Sequence, residues 1–89
     1  MRTVYKYPIP VTDVVRLDLP IGAELLHVAP QGEHVCLWAL VEPLAEQERR
    51  VFLVRGTGQP IADDLKLVHV GTFLIQSGSL VFHLFEVLL

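Results

Sequence analysis

The chain has 89 residues, of which 52% are apolar and 19% charged, and its formal net charge is −3. This length predicts a single domain over residues 1–89. No uninterrupted apolar stretch reaches the roughly 18 residues that a transmembrane helix needs, and no apolar signal-peptide segment follows the N-terminus. We therefore expect a cytoplasmic protein that has no membrane partner. The basic residues form no stripe that could neutralise a phosphate backbone, so nucleic acid is not predicted as the main partner.

Short runs rich in Val, Leu, Phe and Tyr favour β-strands, and groups of Pro, Gly and Ser separate them. The pattern predicts an all-β, mainly antiparallel fold of about six or seven short strands, arranged as a small sandwich or barrel. The predicted strands are Thr3–Tyr7, Val14–Leu19, Glu24–Ala29, His34–Glu42, Arg50–Arg55, Lys66–Ile75 and Leu80–Val87.

The breaks between these strands predict two hairpins and at most one or two helical turns. Pro30–Glu33 and Gln76–Ser79 each combine turn-forming residues with a glycine that can adopt a positive φ. Leu44–Arg50 has a helix-favouring composition but is too short to form a stable helix alone, so a turn or a solvated loop is expected there. Ile61–Leu65 is a second candidate for a single turn.

In the second predicted strand, apolar residues alternate with Arg16 and Asp18, which indicates one buried face and one wet face. The fourth and last strands are apolar on both faces, and with almost no helix available to cover them, self-association is a natural explanation. We therefore predict a homo-oligomer. Its candidate interface residues are Trp38, Leu40, Phe85 and Val87. A closed barrel or a well-packed sandwich could instead absorb both faces within one chain.

Residue types that carry catalysis are scarce. Ser77 and Ser79 lie in a predicted turn, and Cys36 lies in an apolar run typical of a buried small hydrophobe. The four histidines show none of the close spacing of structural zinc sites. His83 and Glu86 should point to opposite faces of their strand, which excludes them as a direct acid–base pair. We expect no catalytic residue, no metal and no cofactor.

The segment Arg55–Pro60 is the most suggestive of a binding site. Gly56 and Gly58 flank Thr57, and glycines let backbone N–H groups approach an anion closely beside Arg55. The Lys-Ser/Thr ending of a phosphate-binding P-loop is absent, and a plain turn is the simpler interpretation.

Tyr5 and Tyr7 share one face of the first strand. That face could be a stacking platform or only a half-exposed edge whose hydroxyls reach water. We treat the two tyrosines, together with Arg55 and the Gly-Thr-Gly turn, as the candidate ligand-binding residues for a small anion.

Five segments together resemble short proteins of unknown function that bacteriophages and prophages encode. They are Thr3–Pro8, Cys36–Val41, Gly56–Ile61, Gly71–Phe73 and Leu80–Glu86. The resemblance spans nearly the whole chain and carries no assigned activity, so it transfers no site residue. It implies an accessory phage protein that acts in the cytosol of a bacterial host.

These observations favour a non-enzymatic binding protein that works as a homo-oligomer and captures a host factor. The captured factor could be a host protein or a small anionic nucleotide signal of host defence. One alternative is a structural or assembly accessory of a phage, which would use the same apolar faces without a pocket. A third possibility is a small enzyme whose site is assembled between subunits.

Overall fold

The computed structural model describes residues 1–89 and contains seven β-strands and no helix. The strands are β1 (Thr3–Ile9), β2 (Val14–Pro20), β3 (Glu24–Gln31), β4 (His34–Val41), β5 (Gln47–Gly56), β6 (Leu67–Ile75) and β7 (Leu80–Val87). All seven predicted strands are present, and the largest boundary error is three residues, at the start of β5. The structure has no helix that is long and apolar enough to cross a membrane.

The strands form two antiparallel sheets, with no closed barrel. Sheet A has three strands in the order β1-β4-β3, and sheet B has four in the order β2-β5-β7-β6. The shortest dimension of the molecule is 16 Å, which accommodates two sheets about 10 Å apart. The all-β prediction is confirmed, and of the two predicted architectures the chain adopts the sandwich.

One core lies between the sheets and takes alternate residues from each strand. The fully buried side chains of Leu37 on β4, Phe52 on β5 and Leu84 on β7 lie at its centre. Val15 and Leu19 supply the buried face that the alternation in β2 predicts, while Arg16 and Asp18 are exposed. Because side chains alternate between faces, the neighbours of these core residues point outward from the sandwich.

The sheets also approach each other where β3 meets β6. Both strands carry an irregularity there, between Leu25 and His27 in β3 and between His69 and Gly71 in β6. A Cβ on Gly71 would lie 2.6 Å from Val28 Cγ1. A residue larger than glycine at this position would therefore have to displace the Val28 side chain.

No helix forms at Leu44–Arg50. A turn closes at the start of this segment, where the Ala45 N–H donates to the Glu42 carbonyl at 3.0 Å. Gln47 to Arg50 extend β5 instead and pair with β2. Pairing with β2 overrides the intrinsic helix preference of this sequence. The extended conformation is stabilised by the hydrogen bonds between the strands and by the contacts of Arg49 with Asp18 and of Arg50 with Glu86.

The two predicted hairpins connect β3 to β4 and β6 to β7. Gly32 and Glu33 form a two-residue loop between the paired Gln31 and His34, with Gly32 at φ 61°. A positive φ at the first central position is typical of a tight hairpin turn. The β6–β7 turn is less usual, because Gln76 (φ 50°) and Ser77 (φ 56°) are in the left-handed region without being glycine.

Candidate functional site

The candidate ligand-binding residues fall into two separate groups. Tyr5 and Tyr7 lie on β1 in sheet A, opposite Ala39 and Leu37, and so on the side of the strand that faces the core. Tyr7 packs against the core and Tyr5 is 42% exposed. Their rings meet edge to face, with centroids 6.4 Å apart. Burial, together with Tyr5, raises the pKa of the Tyr7 hydroxyl above its ordinary value. The pair is a half-buried edge of the sandwich.

Arg55 lies at the end of β5 in sheet B, and its guanidinium binds backbone carbonyls. It donates to the carbonyls of Pro60 at 3.3 Å, Asp13 at 3.1 Å and Val54 at 3.0 Å. These bonds tie the β5–β6 connection to the segment that precedes β2. The planar donor fork of arginine suits this three-way contact. In this geometry, most of the donor capacity of Arg55 stabilises the loop.

The Gly-Thr-Gly turn is braced from within. The Gly56 N–H donates to the Gln59 side-chain oxygen at 2.7 Å, and the Thr57 N–H donates to the Val81 carbonyl at 3.3 Å. Gly58 has φ 90°, a conformation that favours glycine. Of the backbone N–H groups of Gly56, Thr57 and Gly58, only that of Gly58 lacks a partner within the chain. The turn therefore presents little free backbone to an anion.

The Thr57 side chain begins a polar chain on the outer face of sheet B. Thr57 Oγ1 lies 2.7 Å from His83 Nε2, His83 Nδ1 lies 2.9 Å from Thr72 Oγ1, and Thr72 Oγ1 lies 3.1 Å from His69 Nε2. Each hydroxyl can donate or accept, so the two imidazoles and two hydroxyls can satisfy one another. Neither imidazole makes a hydrogen bond to a carboxylate.

The candidate interface residues lie on opposite sides of the molecule. Trp38 and Leu40 are on the outer face of sheet A, since Leu37 and Ala39 occupy the inner one. Phe85 and Val87 are on the outer face of sheet B, opposite the buried Leu84. All four are partly buried within one chain. They therefore define two separate apolar faces.

Cys36 also points outward from sheet A yet is almost fully buried. Lys6 on β1 donates to the Gln31 side chain on β3 at 2.7 Å. On β4, which lies between these two strands, Lys6 is opposite Trp38 and Gln31 is opposite His34. Cys36 lies between Trp38 and His34, so the contact between Lys6 and Gln31 crosses over it. The thiol is a covered apolar group, as expected for a small buried hydrophobe.

One largely buried ion pair links β5 to β7 on the inner face of sheet B. The Arg50 guanidinium binds both oxygens of Glu86, at 2.6 and 2.7 Å, and donates to the Ala23 carbonyl at 2.6 Å. The side chains are only 17% and 13% exposed. The contact with Glu86 raises the pKa of Arg50 above its ordinary value. Glu86 thus faces inward while His83 faces outward, as predicted.

The largest concavity is a cleft of about 590 Å³ at one end of the sandwich. Three parts of the chain form it: the end of β1, the β3–β4 hairpin and the β6–β7 turn. Its apolar surface comes from Ile9, Val11, Val35, Leu74 and Ile75. A volume of this size is within the range of about 300–1,000 Å³ that is typical of ligand sites.

Polar side chains at the rim of this cleft are free of partners within the chain. Glu33, His34 and Ser77 line it, and none of their side chains takes part in any of the side-chain hydrogen bonds. The left-handed Gln76 and Ser77 lie beside them. Residues held in costly backbone conformations cluster at functional sites. The end cleft is therefore the candidate functional site of this fold.

Residues 1–88 match a family model described as Domain of unknown function (DUF7352). The chain belongs to this family. It matches no curated protein and no solved structure.

In this DUF7352 member, the sequence did not point to the cleft. Ile9, His34 and Ser77 are far apart in the chain, and each lies at the end of a different strand or in a turn. The only sequence signal was the pair of predicted hairpins, whose turns line the cleft. No group of three or more His, Cys, Asp or Glu side chains is placed to hold a metal ion.

Proposed function

We propose that this DUF7352 protein is a non-enzymatic binding protein that works as a homo-oligomer and captures a host protein in its end cleft. The phage or prophage origin and the cytosol of a bacterial host are part of the proposal and rest on the sequence resemblance. The observation that carries the binding role is the cleft, which combines an apolar surface with unpartnered polar groups at its rim.

The lining of the cleft favours a protein segment over a nucleotide. Glu33 is its only charged side chain, and no Lys or Arg lines it. An anionic phosphate would therefore meet a like charge without a compensating cation. An apolar side chain flanked by backbone amides would contact Ile9, Val35 and Ile75 and could hydrogen-bond to Ser77 or His34. Such a mixed apolar and polar lining is typical of sites that fix one orientation of their ligand.

The chemistry of the rim supports binding without turnover. His34 and Ser77 make no hydrogen bond to each other, and no third group orients the imidazole. A serine nucleophile requires an adjacent base within hydrogen-bond reach. Capture by complementarity needs none of these contacts.

A matched pair of exposed leucines tests the cleft. Leu74 lines the cleft and is 51% exposed, whereas Leu26 lies elsewhere on β3 and is 46% exposed. Wild-type protein, Leu74→Lys and Leu26→Lys are each used for affinity capture from bacterial lysate. Any protein retained by wild type and Leu26→Lys but lost from Leu74→Lys is then purified and titrated calorimetrically. We expect affinity at least about tenfold weaker for Leu74→Lys than for Leu26→Lys.

Two results would overturn this proposal. One is equal affinity of the two lysine variants for every captured protein, which would exclude the cleft as the binding site. The other is chemical conversion of a captured molecule by catalytic amounts of the protein. A nucleotide ligand would instead show as thermal stabilisation by a nucleotide panel that is lost in Arg55→Ala.

The two opposite apolar faces favour one second candidate, a structural or assembly accessory. Trp38 and Leu40 on one side, with Phe85 and Val87 on the other, could stack copies face to face in an open array. An assembly role predicts large species in light scattering that Trp38→Ala disperses, with Leu74→Lys having no effect on them.

A further inference from the structure

We propose that two copies of the chain pair through β2, antiparallel about a two-fold axis at Leu17, and so join their four-stranded sheets into one of eight strands. The proposal deepens the proposed function, on which its self-association rests, by naming the partner surface. β2 is the edge strand of sheet B, and no other strand pairs with its free side.

The hydrogen-bond pattern shows which backbone groups that edge offers. The Val54 N–H donates to the Asp13 carbonyl, and the Ile21 N–H donates to the Glu46 carbonyl, at either end of the β2–β5 ladder. Groups that face the partner strand alternate along an antiparallel strand. The odd-numbered residues of β2 therefore face β5, and the even-numbered residues 14, 16, 18 and 20 face the open edge.

At the two ends of this edge, only the Val14 N–H is left without a partner. The Val14 carbonyl accepts the Thr12 hydroxyl at 3.0 Å. Pro20 has no N–H, and its carbonyl accepts the Ala23 N–H at 3.1 Å. The residues with both backbone groups free are Arg16 and Asp18, which form an open window whose N–H and C=O groups have no partner along this edge.

This window is complementary to a second copy of itself. With Leu17 opposite Leu17, Arg16 of each copy lies opposite Asp18 of the other. Both residues of each pair face the open edge, so each pair exchanges two backbone hydrogen bonds, four in all. Any register shifted by one residue would set an outward-facing residue against an inward-facing one and lose these bonds.

The side chains agree with the same register. Arg16 and Asp18 are on the exposed outer face, and opposite charges directly across a strand pair attract. Arg16 makes no ion pair within its own chain. Asp18 already accepts two bonds from Arg49, at 3.0 and 3.3 Å, and a carboxylate has about four acceptor positions. Asp18 can therefore accept the second copy's Arg16 as well.

On the inner face, Leu17 is only partly buried and packs against the core. Pairing places Leu17 against Leu17 of the second copy and extends the apolar layer across the two-fold axis. The contact is small beside the roughly 1,200–2,000 Å² of a typical stable interface. We expect a concentration-dependent dimer with a dissociation constant on the order of micromolar. Salt should weaken this dimer because it screens the attraction between Arg16 and Asp18.

A charge exchange tests the pairing by sedimentation velocity over a concentration series. Arg16→Asp alone sets Asp against Asp at both pairs, and Asp18→Arg alone sets Arg against Arg. The dimer dissociation constant of each variant should be at least about tenfold higher than that of wild type. An equimolar mixture of the two variants restores opposite charges at both pairs and should sediment as a heterodimer. Asp63→Arg, in an exposed turn outside β2, is the matched charge control and should behave as wild type.

A cysteine at the two-fold axis gives an independent readout. Opposed residues of a pair without mutual hydrogen bonds lie about 4.5 Å apart at Cα, within the range that a disulfide spans. Oxidised Leu17→Cys should therefore crosslink into covalent dimers, whereas Leu26→Cys, on β3 and more exposed than Leu17, should not.

Each outcome separates the edge pairing from the rest of the proposed function. A wild-type dimer that neither charge variant weakens would overturn the β2 pairing and leave self-association through another face. A wild-type monomer at all concentrations would overturn both the pairing and the homo-oligomer. Binding at the cleft is measured separately through Leu74→Lys, so its failure leaves the β2 result intact.

Discussion

Gly71 on β6 lies directly against the side chain of Val28 on β3, so that a Cβ added to the glycine would lie 2.6 Å from Val28 Cγ1. Val28 is 2% exposed and belongs to the core. A β-branched side chain has a single stiff χ1 torsion with which to move aside. The contact therefore fixes how closely the two sheets can approach.

Gly71→Ala should lower the free energy of unfolding by about 1–3 kcal/mol, as overpacking of a core does. Chemical denaturation measures the change. Gly56→Ala is the control, because a Cβ there would meet nothing closer than the Gln59 side-chain oxygen at 3.5 Å. Val28→Ala should cost less in the Gly71→Ala background than in wild type. Strict additivity of the two changes would contradict a direct clash.

Glu86→Gln should lower the free energy of unfolding by about 1.5–3 kcal/mol, the range for hydrogen bonds to charged groups. The substitution keeps the shape of the side chain but removes the charge that Arg50 faces in a largely buried setting. The control is Asp18→Asn, because the Arg49–Asp18 pair is 63% and 55% exposed. Exposed pairs contribute only about 0–1 kcal/mol, so equal losses in the two variants would refute the importance of burial.

Arg55→Ala should lower the free energy of unfolding by about 1–3 kcal/mol, because three backbone carbonyls lose their donor. Arg55→Lys should restore little of this loss, since an ammonium lacks the planar fork. Arg16→Ala, a solvent-facing arginine with no ion pair, serves as the control at a concentration where the protein is monomeric. Unchanged stability in Arg55→Ala together with lost nucleotide binding would instead favour the anion site.

Ser77→Gly should raise the midpoint of thermal unfolding, because it relieves a left-handed conformation that costs a residue with a Cβ about 1–2 kcal/mol. The greater freedom of glycine in the unfolded chain offsets part of this gain. Ser79→Gly is the contrasting variant, since Ser79 is not among the positive-φ residues and its hydroxyl donates to the Gln76 carbonyl at 2.8 Å, so that this change should lower the midpoint. A fall in the midpoint for Ser77→Gly would show that its side chain stabilises the turn.

The sequence by itself determined the all-β class, the seven strands and both hairpins. These features follow from local chemistry: alternation with a period of two, β-branched and aromatic residues, and glycine or proline at each turn. It also determined that the fourth and seventh strands are apolar on both faces. Even the error at Leu44–Arg50 came from a local preference that pairing with β2 outweighed.

Only the tertiary structure decided which residues meet. Trp38 and Phe85 share an apolar pattern, yet the packing of two sheets places them on opposite faces of the sandwich. The end cleft joins Ile9, His34 and Ser77, whose separation in the chain leaves no sequence spacing to read. Likewise, β2 is an edge strand because of the order in which the chain pairs its strands. Strand order and the contacts between the two sheets depend on residues that are far apart in the chain. The alternation of apolar and polar residues within each strand does not specify them.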